Sequence, residues 1–199
     1  MTSGPRLIAI LAVAGALSLA ALYLIVRPQG NDLEPEGTVK AVQASPDAAA
    51  GNFRAEKAPL PDVSFQNGEG ETLTLASFRG KWVLLNLWAT WCTPCREEMP
   101  SLDRLQGELG GSDFMVVAVS MDRNGVALAK GFLAEVKAEH LALYADPSSK
   151  MMFAFKVFGL PTTLLISPDG EIVGRFVGPV EWDKEGPRAI IAKLKAARG

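Results

Sequence analysis

The chain has 199 residues, 48% of them hydrophobic and 21% charged, with 20 Lys and Arg against 22 Asp and Glu. The composition is globular, and a net charge of −2 offers no basic face for nucleic-acid phosphates, so no nucleic-acid partner is expected. Two cysteines and one histidine are too few for a disulfide-stapled scaffold or a four-ligand Cys/His zinc site.

Residues 1–6 are a short flank. From Leu7 to Val26 the chain reads LIAILAVAGALSLAALYLIV, apolar but for Gly15 and Ser18. At about 1.5 Å per residue this stretch spans roughly 30 Å, one bilayer core. Arg6 and Arg27 bracket it, and the charges lean toward an N-terminus on the inside. A cleaved signal peptide would have a shorter apolar region with a small-x-small site just after it. Here Tyr23, Leu24, Ile25 and Val26 follow the small residues at Ser18 to Ala21, and no cysteine stands near residue 20 to carry a lipid. An uncleaved transmembrane helix over 7–26 is the favoured reading, with cleavage as its alternative. Residues 27–58 hold Pro28, Pro35, Pro46, Gly30, Gly37 and Gly51 with no sustained apolar period. They read as a flexible linker with a reach of about 30 Å, in which a short helix around Val39 to Ala50 is the one exception allowed.

The remaining residues, 59–199, suffice for one domain with one core. Asp62 to Phe65 is extended, Asn67-Gly68-Glu69-Gly70 turns, and Thr72 to Leu75 alternates as a half-buried strand does. Trp82 to Trp88 is nearly all apolar, like a strand buried on both faces. A helix is expected from Thr93 to Leu109, stopped by Gly110-Gly111, then a buried strand from Phe114 to Val119 and helical spacing from Val126 to Ala138. Leu141 to Tyr144 reads as a short strand and Ser148 to Phe155 as a short helix. Thr162 to Ile166 and Glu171 to Phe176 flank Asp169-Gly170, a hairpin signal, and a helix from Asp183 to Ala197 closes the chain. This order is that of an α/β sandwich with a mixed sheet.

Both cysteines lie in Trp91-Cys92-Thr93-Pro94-Cys95, where a buried strand hands over to a helix. The first turn of a helix has unpaired N–H groups and a partial positive charge, which stabilise a thiolate at Cys92. Pro94 loses nothing there, since its missing N–H would be unpaired anyway. Two intervening residues let the sulfurs bond across one turn. Cys92 is therefore the candidate attacking thiol, and Cys95 the thiol that resolves the mixed disulfide. Other uses of such a pair are half a zinc site, a structural disulfide, or a Cu(I) site built on the two thiolates. The zinc reading lacks its other half, because His140 is the only further soft ligand, and so short a disulfide loop removes little chain entropy.

The stretch from Asn86 to Pro100, NLWATWCTPCREEMP, resembles the active-site segment of thioredoxin-fold proteins, and most closely the membrane-anchored thiol:disulfide interchange proteins of the TlpA/ResA/CcmG type. Asp62 to Lys81, Gly159-Leu160-Pro161-Thr162-Thr163, Pro168 to Val173 and Gly178 to Trp182 are similar to further parts of that family. The resemblance implies a thioredoxin-like three-layer sandwich: a mixed central sheet, helices on both faces, an N-terminal β-hairpin and one transmembrane helix ahead of it. It implies a redox-active Cys92–Cys95 disulfide, shielding by Trp91, an interior kink at Pro100, and a substrate surface of Trp91, Thr93, Pro94, Leu160 and a cis Pro161. Where thioredoxins carry a buried Asp, this chain has Asn86, which cannot accept a proton from Cys95. Glu98, one turn beyond Cys95, is the candidate base. Its alternative is a solvated first-turn acid, as neighbouring Glu97 reads.

His140 is read as a boundary residue and Trp82 and Trp88 as sheet packing. Met99, Met121, Met151 and Met152 are read as core, and Trp182 as packing for the last helix with no functional part. The family implies a thiol-disulfide oxidoreductase held in the bacterial inner membrane with its domain in the periplasm, and no cofactor or resident metal. Its implied role is to reduce cysteine pairs in respiratory proteins under assembly, such as the copper site of cytochrome oxidase. Its implied partners are disulfide- or dithiol-bearing protein substrates, a transmembrane thiol-reducing donor (CcdA/DsbD-like), and copper-chaperone or cytochrome oxidase assembly proteins. The rivals are a cytochrome c maturation reductase, against which Thr162-Thr163 counts, and a Cu(I) carrier. A peroxidase would need its cysteine in a different context, without Trp91 and Cys95.

Overall fold

The computed structural model describes residues 53–197, so the expected transmembrane segment 7–26 and most of the expected linker lie outside the described residues. Among the described residues, no helix is long and apolar enough to cross a membrane. The elements in chain order are β1 (Phe53–Pro59), β2 (Ser64–Asn67), β3 (Thr72–Thr74), a 3-10 turn (Leu75–Phe78), β4 (Trp82–Trp88), α1 (Thr93–Leu109), β5 (Phe114–Ser120) and α2 (Gly125–Glu135). They continue as β6 (Tyr144–Ala145), α3 (Lys150–Ala154), β7 (Thr162–Ile166), β8 (Glu171–Val177) and α4 (Glu185–Ala196).

One eight-stranded mixed sheet runs β1-β8-β7-β4-β5-β6-β2-β3. Its centre is β4, whose unbroken apolar run is buried at every residue, as cover on both faces demands. It pairs in parallel with β5, Trp82 opposite Phe114 through Trp88 opposite Ser120, and antiparallel with β7, Val83 opposite Ile166 through Leu87 opposite Thr162. Full burial of Leu84, Leu85 and Leu87 stabilises this core by about 1.5–3 kcal/mol per side chain. Met99, Met121 and Met151 are buried in the same core and Met152 packs half-buried against it, as the sequence suggested.

The expected hairpin at the start is β2 on β3, Ser64 opposite Thr74. Its turn is built by Asn67, whose Oδ1 accepts the amides of Glu69 and Glu71, with Gly70 supplying a positive φ. Residues 53–58, read from sequence as the end of a linker, instead pair as an edge strand. Phe53 stands opposite Phe176, a register shift follows Ala55, and Pro59 ends the strand opposite Glu171. An edge position tolerates Pro59, because one side of the strand needs no ladder donor. The Arg175 guanidinium fastens β1 through two bonds to Glu56, at 2.8 and 3.2 Å, and also donates to the Phe155 carbonyl at 3.0 Å.

His140 has an exposed ring whose Nδ1 lies 3.0 Å from Asp103 Oδ2, while Asp103 also accepts the amides of His140 and Leu141. The pair ties the segment before β6 to α1.

Candidate active site

The end of β4 delivers the chain to Ala89-Thr90-Trp91, and a buried carboxylate holds it there. Asp122 accepts the Thr90 amide at 2.9 Å, the Thr90 hydroxyl at 2.8 Å and the Ser120 hydroxyl at 2.7 Å. Asp122→Ala leaves the buried Ser120 hydroxyl and the half-buried Thr90 donors without their acceptor, so it should lower unfolding stability by about 2–3 kcal/mol in a denaturant titration.

Cys92 is the N-cap of α1, and Pro94 occupies its first turn. A disulfide joins Cys92 to Cys95 with their Cα atoms 5.3 Å apart. The two sulfur-bearing residues differ in access: Cys92 retains 6% exposure and Cys95 1%. The inner cysteine lies under the first turn of the helix and the outer one at its tip. Trp91, beside them, is 69% exposed. Thr93 is exposed and Pro94 half-buried. Pro100 sits inside α1, as expected.

The Leu160–Pro161 bond is cis. Because β7 runs antiparallel to β4 with Thr162 opposite Leu87, Pro161 comes at the end of the sheet from which the chain enters Trp91-Cys92. Leu160 is half-buried and Pro161 buried. The Pro161 carbonyl accepts the Gly178 amide at 3.0 Å, and the Thr162 hydroxyl donates to the Gly159 carbonyl at 2.8 Å. Phe158, at the head of this loop, is 97% exposed. Sequence reading passed over it, since nothing in its spacing marks it as surface.

Glu98 is not a solvated first-turn acid. It is buried, 4% exposed, whereas Glu97 is exposed. Its Oε1 accepts the Trp182 indole N–H at 2.6 Å and the Asn86 amide N–H at 2.9 Å, and its Oε2 lies 3.4 Å from the Val180 amide. Asn86 also donates to Thr163 Oγ1, its cross-strand neighbour, at 2.9 Å. Trp182 is thus no mere packing residue for the last helix. Its indole N–H is spent on Glu98, and its backbone N–H donates to Ser101 Oγ at 3.1 Å. Its place could not be read from sequence, since the contact joins residues 84 apart. Burial pushes the Glu98 carboxyl up from 4.5 to about 8, against the pull of the Trp182, Val180 and Asn86 donors. A cleft of about 360 Å³, lined by Glu97, Glu98, Ser101, Arg104 and Pro179 to Glu181, lies beside it.

The arrangement joins a dithiol couple at a helix N-terminus, a cis-proline loop at the same end of the sheet, and a buried carboxyl able to hold or release a proton near neutral pH. That combination can carry thiol–disulfide exchange. Among the described residues there is no group of three or more His, Cys, Asp and Glu placed to hold a metal ion.

Comparison with known proteins agrees. The AhpC/TSA family model matches residues 57–175. The thiol-disulfide oxidoreductase ResA of Bacillus cereus is 31% identical over 134 residues, 67% of this chain and 75% of its own length. The thiol:disulfide interchange protein HelX of Rhodobacter capsulatus is 33% identical over 155 residues, 78% of each chain. Among solved structures, a thiol-disulfide oxidoreductase from Bacteroides fragilis is 26% identical and superposes with a TM-score of 0.59 over 69% of this chain and 99% of that one. By fold, by a Cys-x-x-Cys disulfide capping α1 and by these relatives, the chain belongs to the AhpC/TSA family of thioredoxin-fold proteins, in its TlpA/ResA/CcmG-type branch of thiol-disulfide oxidoreductases.

Proposed function

We propose that the chain works as a disulfide reductase outside the bacterial inner membrane, in the periplasm, tethered by a single span over residues 7–26. The apolar stretch and the relatives' redox chemistry support this reading, and β1 shortens the proposed tether to residues 27–52. Its substrates are protein disulfides met along the surface around Trp91, Thr93, Pro94, Leu160 and Pro161. By family resemblance these are cysteine pairs of respiratory proteins under assembly, the copper site of cytochrome oxidase first among them. Copper-chaperone or oxidase assembly proteins are the associated partners.

In the proposed cycle the Cys92 thiolate attacks one sulfur of a substrate disulfide, and the other substrate sulfur leaves and takes up a proton. The Cys95 thiol passes its proton to Glu98 in the ionised fraction of that carboxyl, which grows toward pH 8, and attacks Cys92, releasing the second substrate sulfur. Two electrons have moved to the substrate, and the pair has closed to the disulfide seen here. A membrane thiol donor of the CcdA or DsbD kind then reopens it. The observation that carries this cycle is the Cys92–Cys95 disulfide at the N-cap of α1, its outer residue the more exposed of the two, at the same end of the sheet as the cis Leu160–Pro161 bond. Burial, which raises the Glu98 carboxyl to about 8, brings it close to an ordinary thiol near 8.5. Proton exchange between matched groups is close to balanced in either direction.

The deciding measurement is the reduction potential of the Cys92–Cys95 couple in the full chain, equilibrated against glutathione. A value clearly below about −200 mV is expected of a reductase with its own electron supply. A value near −120 mV would overturn the reductase assignment in favour of an oxidase.

A further inference from the structure

The edge strand β1 is joined to the proton-handling carboxyl by a continuous stack of rings. Phe53, the first residue of β1, packs on Phe176 of β8 with ring centroids 5.0 Å apart. Phe176 meets Trp182 edge-on at 4.9 Å. Trp182 in turn donates to Glu98 Oε1 at 2.6 Å. Phe53, Phe176, Trp182 and Glu98 are all buried, the inner rings completely. The outer end of the stack depends on a missing side chain, since a Cβ on Gly174 would run into the Phe53 ring. Glycine at 174 leaves the room in which the Phe53 ring lies over β8 and meets Phe176 at a tilt of 54°.

We infer that Phe53 and Phe176 are positioning residues that hold the Trp182 indole on Glu98, so that β1 sets how tightly the active-site carboxyl keeps its proton. The reason is geometric. The indole N–H is the shortest of the three donors to Glu98, and an indole held only by packing keeps its angle only while the packing is intact. Removing the outer ring frees the rings beneath it to shift, so the indole loses its angle and the carboxyl its shortest donor. The neutral acid is then favoured, and the proton is held to higher pH. The other groups facing Glu98 do not replace that donor. β4 and β7 present the neutral Asn86 and Thr163, and the charged Glu97, Arg104 and Glu181 line the open cleft. The functional weight of this inference rests on the reading of Glu98 as the proton acceptor for Cys95, but its test does not.

The test is an infrared titration of the oxidised full chain, following the protonated-carboxyl band that Glu98→Gln abolishes. Trp182→Phe should move the midpoint up by about one pH unit, the worth of a hydrogen bond to a charged group. Phe53→Ala, which deletes the outer ring, and Gly174→Ala, which expels it, should both move the midpoint the same way by a smaller amount. Phe53→Leu should restore most of the native value. An unchanged midpoint in both Phe53→Ala and Gly174→Ala, with native-like circular dichroism, would overturn the inference, as would an unchanged or lowered midpoint in Trp182→Phe. The relay reading is scored separately, by whether Glu98→Gln alters the pH profile of thiol reactivity in the reduced chain.

Discussion

Cys95→Ser should stop turnover and leave substrate bound covalently to Cys92. On the proposed roles the outer cysteine still attacks, because it keeps its place at the N-cap of α1 with the unpaired amides of the first turn beneath it. The inner position then has no thiol to break the mixed disulfide, and the intermediate accumulates. Disulfide-reductase activity should fall by at least about three orders of magnitude, because members of one catalytic unit fail together. Cys92→Ser should lose activity to the same extent but trap nothing, since the residue left at 95 is almost wholly covered. Non-reducing electrophoresis of the two variants incubated with a disulfide-bearing protein separates the outcomes. Adducts on Cys95→Ser alone support the assignment. Equal trapping by both variants, or trapping by Cys92→Ser only, would reverse the two roles. Neither substitution touches the sheet, so loss of the fold should not confuse the result.

The parts of this fold that could be read in advance are those in which one local signal and the tertiary environment agree. β4 is an unbroken apolar run because both of its faces are covered, and α1 spans Thr93–Leu109 as its N-terminal turn and Gly110 imply. The Asp169-Gly170 turn joins β7 to β8 as its residues demand, with Gly170 at positive φ. β1 carries no strand signal in the sequence, because Phe-Arg-Ala-Glu-Lys-Ala-Pro has charges at alternate and adjacent positions and a proline at its end. Its pairing is supplied by a partner more than a hundred residues away, through Phe53 opposite Phe176 with its ring over Gly174, and through Glu56 on Arg175. A soluble fragment cut at residue 59 would lose that strand.

The site divides in the same way. Cys92, Cys95, Pro94 and Pro161 belong to contiguous motifs, and each lies where its motif implies. Glu98 is identified by helical spacing, which puts it near Cys95, and by the resemblance to extracytoplasmic thiol reductases with a Glu at this offset, and neither says anything of burial. What separates it from Glu97 is the indole of Trp182 and the amide of Val180, both delivered by the loop after β8. Asn86 looked like a loss, an amide in place of a carboxylate. In the fold its amide donates to Glu98 Oε1 on α1, so Asn86 serves the carboxyl that spacing alone could not show to be buried.

Glu98→Gln should make the oxidised chain more stable above pH 8 and abolish a pH dependence that the native chain shows below it. In the folded protein the carboxyl keeps its proton up to about pH 8, and in the unfolded chain it releases it near 4.5. Between those values the folded state binds more proton than the unfolded state, so native stability must fall as pH rises. Each unit of difference is worth about 1.4 kcal/mol, so a few kcal/mol are lost across the window. Below 4.5 the contribution is fully present, because both states are protonated there. Glutamine keeps the shape and can accept from Trp182 and Asn86 through its single carbonyl oxygen, but it does not titrate. Native and variant should therefore lie close together below pH 4.5 and diverge steadily up to about pH 8, the variant being the more stable. Denaturant unfolding at several pH values, followed by the fluorescence of the buried tryptophans, reads this difference directly. The comparison cancels every other acid in the chain. A constant difference across the window would mean that Glu98 ionises in the folded protein much as it does in water, and the proposed proton transfer from Cys95 would lose its support.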